Sequence, residues 1–331
     1  MNDILKRKKR HLQVTQNGDM DYFDQYKLRY NALPEVDFEQ IDLQTQFLDY
    51  QLAFPFLVSS MSGGVEQGNE LNLQIAEACN EARVAFASGS IRVALGDPDL
   101  LGAFDLKDKL ADVPYLINIG AFQLKDKKIQ KSLVSAIKEL RVDGVFIHLN
   151  PLQEVVQEDG DTDWRGVKSA IADFVQVASV PVFVKEVGHG LSTEVIEELS
   201  EWGVVGFDVS GLGGLSWGHV EADLQNEPEL ANVVRNIGYE TPWLVKEAYA
   251  TNAEWLLIAG GGVRSGIDIL KSMILGASMA TAALPIKMAA ADGKEGVLKL
   301  LNHWKQQLQV GLFALGQKDL SKVRGNSDLL F

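Results

Sequence analysis

Tyr115-Leu116-Ile117-Asn118-Ile119, then Leu133, Ile137 and Leu140, then Gly144-Val145-Phe146-Ile147: this stretch decides the fold. The two outer runs are short and continuously apolar, as strands of a parallel sheet buried on both faces must be. The middle residues recur at i, i+4 and i+7, which puts them on one stripe of a helix. The same unit repeats in both directions. Phe56-Leu57-Val58 and Val84-Ala85-Phe86-Ala87 precede it. Pro181-Val182-Phe183-Val184, Val204-Val205-Gly206-Phe207-Asp208-Val209, Trp255-Leu256-Leu257-Ile258-Ala259 and Ala277-Ser278-Met279-Ala280-Thr281 follow it. Val195, Leu199 and Trp202 repeat the helical spacing. Eight such strands alternating with helices predict an α/β protein, a single (β/α)8 TIM barrel. The other reading, an open doubly wound sheet, requires a GxGxxG turn after the first strand, and Met61-Ser62-Gly63-Gly64 does not supply one. Residues 1–331 are therefore expected to form one domain. In it, residues 1–50 are an N-terminal extension and residues 295–316 a long closing helix.

Composition narrows the function. The chain has 331 residues, 46% of them hydrophobic and 23% charged, an ordinary globular balance that excludes a disordered chain. Its 31 Lys and Arg against 45 Asp and Glu leave a net charge of −14. A field of that sign repels nucleic acid and anionic membrane. An anionic substrate would have to be caught by local cations or a metal. The single cysteine, Cys79, sits in a helical pattern and reads as a small buried hydrophobe. One cysteine also excludes zinc ribbons and cysteine-ligated clusters. No apolar run is long enough to span a membrane. The basic start, Arg7-Lys8-Lys9-Arg10-His11, lacks the apolar core of a signal peptide. A cytoplasmic protein is expected.

In a barrel of this kind the chemistry lies at the C-terminal ends of the strands. After the seventh comes Gly260-Gly261-Gly262-Val263-Arg264-Ser265-Gly266-Ile267-Asp268, and after the eighth Ala282-Ala283-Leu284-Pro285. Glycines let backbone N–H groups approach an anion, a helix beginning near Ser265 aims its positive end there, and Arg264 adds charge. Lys185 ends the fifth strand, and a buried lysine must meet an anion. Glu186 beside it points to the opposite face of a strand, which weakens a simple pairing between them. Asn118 ends the third strand and Ser210 follows the sixth; both suit a ligand edge or turn chemistry equally. The fourth strand ends in His148-Leu149-Asn150-Pro151-Leu152-Gln153-Glu154. Four polar groups thus crowd one barrel exit. Glu154 can ligate a hard cation that neutralises a diphosphate, or the group can simply cap a helix.

The segment Gly261 to Asp268, with Lys271 and Leu275-Gly276-Ala277, resembles the phosphate loop of FMN-binding barrel enzymes. The ordered set of motifs goes further. Arg7-Lys8-x-x-His11, Met61-Ser62-Gly63-Gly64, Gly89-Ser90-Ile91-Arg92, the His148–Glu154 segment, Lys185-Glu186-Val187-Gly188 and Val209-Ser210-Gly211-x-Gly213-Gly214-x-Ser216-Trp217 resemble the type 2 isopentenyl diphosphate isomerases. The resemblance implies an FMN-dependent isomerase that interconverts isopentenyl and dimethylallyl diphosphate. It implies Mg2+ on Glu154, and NADPH only as reductant of the flavin. Arg7, Lys8, His11, Ser90, Arg92, Asn150 and Gln153 would bind substrate, the first two reaching into their own or a neighbouring site. Met61, Ser62, Gly63, Ser90, Asn118, Lys185, Ser210, Gly261, Gly262, Val263, Arg264, Ala282 and Ala283 would line FMN, with Lys185 at the flavin N1 edge. Gln153 and His148 would be catalytic. A homo-oligomer, tetramer or octamer, is the implied assembly. Three positions depart from the family. Leu215 stands where Thr is usual, removing a hydroxyl that would bond the FMN phosphate. Ser62 replaces Thr, and Ile91 a longer polar or sulfur side chain.

Two rivals remain. An FMN-dependent oxidoreductase of the 2-hydroxy acid oxidase type shares the glycine-arginine loop. It would carry a histidine base after the sixth strand, whereas Ser210 to Trp217 contains none and the first beyond is His219. A flavin- or phosphate-binding module without catalysis would leave Glu154, Gln153 and His148 without a purpose.

Overall fold

The computed structural model describes residues 21–61 and 66–331. A hairpin of β1 (Thr45–Phe47) and β2 (Tyr50–Leu52) comes first. The eight apolar runs follow as β3 (Phe56–Val58), β4 (Ala85–Ser90), β5 (Tyr115–Gly120), β6 (Gly144–His148), β7 (Val182–Lys185), β8 (Gly206–Asp208), β9 (Leu256–Ala259) and β10 (Met279–Ala282). All eight pair in parallel, and β10 closes on β3 through Ala280↔Phe56, Thr281↔Leu57 and Ala282↔Val58. The fold is the expected TIM barrel.

Helices cover the strands as predicted: α1 (Glu66–Ala82), α2 (Arg92–Gly96), α3 (Lys127–Glu139), α4 (Pro151–Val156), α5 (Val167–Val177) and α6 (Thr193–Glu201). Between β8 and β9 there are three rather than one, α7 (Trp217–Leu224), α8 (Pro228–Arg235) and α9 (Thr241–Thr251). Then come α10 (Gly266–Leu275), α11 (Leu284–Ala289) and α12 (Gly293–Ala314), the expected long closing helix shifted by two residues at each end. Two glycines let α10 and α12 approach: a Cβ at Gly266 would lie 1.9 Å from the Trp304 carbonyl oxygen, and one at Gly311 would lie 2.5 Å from Leu270 Cδ2.

The barrel interior is filled by side chains. Phe183 packs on Phe146 at 5.3 Å between ring centroids, and Gly144 and Gly206 on the flanking strands leave room for it. The hairpin crosses the end of the extension set at residue 50. It plugs the N-terminal end of the barrel by placing Phe47 5.7 Å from Phe183. Two residues further along β7, on the same face, comes Lys185 at the open end. The extension also pairs with the chain's last residues, Lys27 and Phe331 exchanging both backbone hydrogen bonds.

Candidate active site

Consecutive strands carry polar residues in register around the open rim. Ser90 lies opposite Asn118, His148 opposite Lys185, and Lys185 opposite Asp208. His148 Nδ1 donates to Asn118 Oδ1 at 2.9 Å. Buried Lys185 donates from Nζ to the Glu186 main-chain oxygen at 2.6 Å and stands 3.8 Å from Asp208 Oδ2. The Glu186 carboxylate turns away, and its Oε2 accepts from the backbone of Val187, His189 and Gly190. The anion facing Lys185 is thus Asp208, which sequence reasoning had left without a role. Burial pushes the Asp208 carboxyl above the usual range, while the Lys185 charge and the Ser210 hydrogen bonds pull it back.

Beside this row lies a cleft enclosing about 970 Å³, counting space open to solvent. It gathers many of the residues predicted for the cofactor: Met61, Lys185, Ser210, the run Gly261 to Arg264, and Ala282-Ala283. Its floor is glycine by necessity. A Cβ at Gly260 would sit 2.2 Å from Asp208 Oδ1, and one at Gly261, with φ +94°, would sit 2.2 Å from the Gly211 oxygen. Ser265 caps α10 by accepting from Asp268 N at 3.1 Å, so the helix begins at the cleft edge. Arg264 is held by its own contacts, Nη2 on the Gly213 oxygen at 2.7 Å and Nη1 on Asp21 at 2.7 Å. Burial raises the Asp268 carboxyl, which accepts from Arg264 N. Ser90, Asn118 and His148 are not among the residues lining the cleft. They sit on the strands before β7.

The fourth strand's exit is a separate knot. Asn150 Nδ2 donates to Gln153 Oε1 at 3.1 Å and to Glu154 Oε1 at 2.9 Å. Glu154 Oε2 accepts from Asp161 N at 2.8 Å. Asp161 in turn faces Arg92 Nη1 at 3.4 Å and accepts from Gln123 at 3.2 Å. Gln153 Nε2 donates to Glu221 Oε1 at 3.1 Å. Glu221 is buried on α7, 68 positions further along the chain, and no local spacing announces it. Arg92, Asn150, Gln153 and Glu154 are thereby brought into one hydrogen-bonded group. Arg7, Lys8, His11, Ser62 and Gly63 lie outside the described residues.

The chain matches, over residues 121–329, the family model described as FMN-dependent dehydrogenase. It is 40% identical to the isopentenyl-diphosphate delta-isomerase of Paracoccus zeaxanthinifaciens, across 99% of this chain and 97% of that one. The protein of the same name from Pseudescherichia vulneris is 38% identical across 91% of this chain and 88% of its own length. The chain belongs to the FMN-dependent isopentenyl-diphosphate delta-isomerases. Among solved structures, a flavocytochrome b2 variant with benzoylformate has a similar fold, with a TM-score of 0.70 at 19% identity over 96% of this chain and 81% of that one. A mandelate oxidase variant gives 0.67 at 16% over 99% and 98%. At such identities the likeness is one of fold alone.

For a member of this isomerase family the cleft suits a flavin. Its glycine floor packs directly on Asp208, Gly211 and Thr241, where any Cβ would collide, so the loop backbone itself lines the cleft. Ser60 Oγ, which lines it, and Asp208 Oδ2, just behind Lys185 and Ser210, are buried without a hydrogen-bond partner among the described residues, an uncommon state for buried polar groups. Leu215, the departure noted above, does line this cleft. The histidines near loop six are structural. His189 Nδ1 donates to the Ile237 oxygen at 2.8 Å, and its Nε2 is hydrogen-bonded to Ser216 Oγ at 3.0 Å. His219 lies within α7 against Arg235 and Asp223. No helix among the described residues is long and apolar enough to cross a membrane.

Proposed function

We propose that the protein interconverts isopentenyl and dimethylallyl diphosphate, moving a double bond by one carbon with no net redox change. The observation that carries the reading is the Gln153–Glu221 pair at 3.1 Å, at the open end of the barrel that holds the glycine-floored cleft. One carbon of the substrate must gain a proton and another lose one. A buried carboxylate linked to an amide can hold that proton and orient its transfer. Asn150 fixes the Gln153 amide by donating to its oxygen, which leaves the Gln153 nitrogen for Glu221. His148 Nδ1 is hydrogen-bonded to Asn118 Oδ1, which orients the ring at the same rim.

FMN, when bound and reduced, supplies an electron-rich face next to a cationic intermediate. Lys185 balances negative charge at the flavin edge. Ser210, Met61, Ser62, Gly63, the Gly261–Arg264 loop and Ala282-Ala283 hold the cofactor, with Ser90 and Asn118 on the neighbouring rim. Glu154 carries Mg2+. Among the described residues no group of three His, Cys, Asp or Glu can hold a metal by itself. Glu154 would hold the cation together with the diphosphate oxygens, a common arrangement for Mg2+. Arg7, Lys8, His11, Ser90, Arg92 and Asn150 grip the diphosphate, with Arg7 and Lys8 reaching from the same or a neighbouring subunit of a homo-oligomer. NADPH serves only to reduce the flavin.

The test is anaerobic incubation with FMN, Mg2+, NADPH and isopentenyl diphosphate, followed by proton NMR. Dimethylallyl diphosphate in excess of the NADPH consumed is the expected result. Flavin uptake and reduction without product would overturn the isomerase reading and leave an FMN oxidoreductase, whose substrate a screen of 2-hydroxy acids would find.

A further inference from the structure

We infer that Asp208 is a positioning residue that sets how much positive charge Lys185 presents to the flavin. The inference rests on the flavin reading of the cleft and not on isomerisation. Lys185 and Asp208 are register partners at the ends of β7 and β8. Both are buried, and Nζ stands 3.8 Å from Oδ2. The Glu186 carboxylate, the nearest rival counter-ion in sequence, is taken up by three backbone N–H groups. Asp208 Oδ1 is likewise taken, by Ser210 N at 3.2 Å and Ser210 Oγ at 2.8 Å. Among the described residues Oδ2 has no hydrogen-bond partner, whereas a protonated carboxyl would donate its hydrogen to an acceptor. The cation it faces is the Lys185 ammonium. The geometry therefore fits a carboxylate opposed to a cation, and burial, which disfavours the charged form, makes that carboxylate depend on Lys185.

The carboxylate is also locked in place. Ser210 adopts a left-handed backbone with φ +35°, an uncommon state for a residue with a side chain. Its two hydrogen bonds to Asp208 Oδ1 hold it there. Gly260 closes the arrangement from the other side, since a Cβ would reach Asp208 Oδ1 and Ser210 Oγ together. Lys185 and Ser210 both line the cleft, whereas Asp208 does not. Asp208 therefore acts on a bound flavin through two residues that touch it. An ionised Asp208 offsets part of the Lys185 charge and so restrains the preference for the anionic reduced flavin.

The experiment measures the reduction potential of bound FMN in four proteins, without any diphosphate. Asp208→Asn keeps the size and the acceptor for Ser210 but removes the charge. Its preference for reduced over oxidised flavin should rise about tenfold or more, a positive shift of about 30 mV for a two-electron couple. Lys185→Gln should shift the preference the opposite way. Because the Asp208 carboxylate depends on Lys185, the double variant should match Lys185→Gln to within about threefold. A single Asp208→Asn value within about threefold of the unaltered protein overturns the inference. Should Asp208→Asn not fold, the double variant decides the matter: a preference that differs from that of Lys185→Gln by more than about threefold shows Asp208 acting without Lys185, and the inference falls. Failure of the unaltered protein to bind FMN overturns the inference together with the flavin reading. Normal flavin behaviour without isomerase activity removes only the proposed reaction.

Discussion

The two ends of the barrel are built to opposite rules. At the N-terminal end the polar groups near the hairpin are satisfied. Lys107 Nζ reaches Tyr50 Oη at 2.8 Å and Asp143 Oδ2 at 2.6 Å, Tyr50 donates to Asp143 Oδ1 at 2.9 Å, and Asp143 also accepts from Tyr115 N at 2.8 Å. Phe47 seals the axis. At the C-terminal end a lysine and an aspartate are buried 3.8 Å apart, Ser210 holds a left-handed backbone, and Ser60 Oγ and Asp208 Oδ2 are buried without hydrogen-bond partners among the described residues. Such features cost stability wherever they occur. The buried Lys185–Asp208 pair belongs to the end that binds and reacts, whereas the Lys107–Asp143–Tyr50 group belongs to the end that secures the fold.

Gln153→Leu should show the largest separation. It removes an amide from the reacting end without touching the plug. Turnover of isopentenyl diphosphate should fall by about 10²–10⁴-fold, the usual worth of a positioned proton-transfer group. FMN binding and the unfolding midpoint in urea should stay as they are. Comparable loss of flavin would mean that Gln153 supports the cleft, and the division between knot and cleft would fail.

Phe47→Ala breaks the other end. Phe47 is 2% exposed, and truncation of a buried phenylalanine costs about 3–5 kcal/mol. Denaturant unfolding should register that loss. The folded fraction should still bind FMN with its original affinity. A large fall in affinity at constant folded fraction would show that the plug shapes the site through Phe183 and Lys185.

The barrel was legible because its signal is local. Each strand is a short apolar run, and each neighbouring helix carries its own stripe. The glycine loop was legible for the same reason, since its glycines are consecutive. What stayed hidden is held by register between distant segments. Asp208 stood in plain view within Phe207-Asp208-Val209, yet only the pairing of β7 with β8 turns it toward Lys185. Glu221 reads as one more acidic residue on a helix until α7 folds over α4 and meets Gln153. The hairpin was missed because its strands are three residues each, too short for alternation to show.

Lys107→Met tests the satisfied end by pH. Burial alone would lower the Lys107 pKa, but its hydrogen bonds to Asp143 and Tyr50 and the Asp143 charge more than reverse this and hold it above its ordinary value. A lysine raised on folding stabilises fully below its unfolded pKa of about 10.4. That stability is lost as pH rises through the folded value. Unfolding midpoints of the unaltered protein should therefore fall above about pH 10.4, and the fall should be shallower in the variant. Equal slopes would show that Lys107 gains nothing from its partners.

Ser265→Ala is the smallest expected effect and the sharpest test of the division, because Ser265 stands at the functional end but does a structural task. Its hydroxyl accepts from Asp268 N at 3.1 Å and caps α10. Loss of such a cap costs about 1 kcal/mol. Asp268 still accepts from Arg264 N at 3.0 Å, so the loop backbone keeps its second tie. Urea unfolding should therefore show the loss, while FMN affinity and turnover stay unchanged. If affinity falls in step with stability, the positive end of α10 is itself part of the anion site, and the boundary between scaffold and function lies one residue deeper, at the helix rather than at the loop.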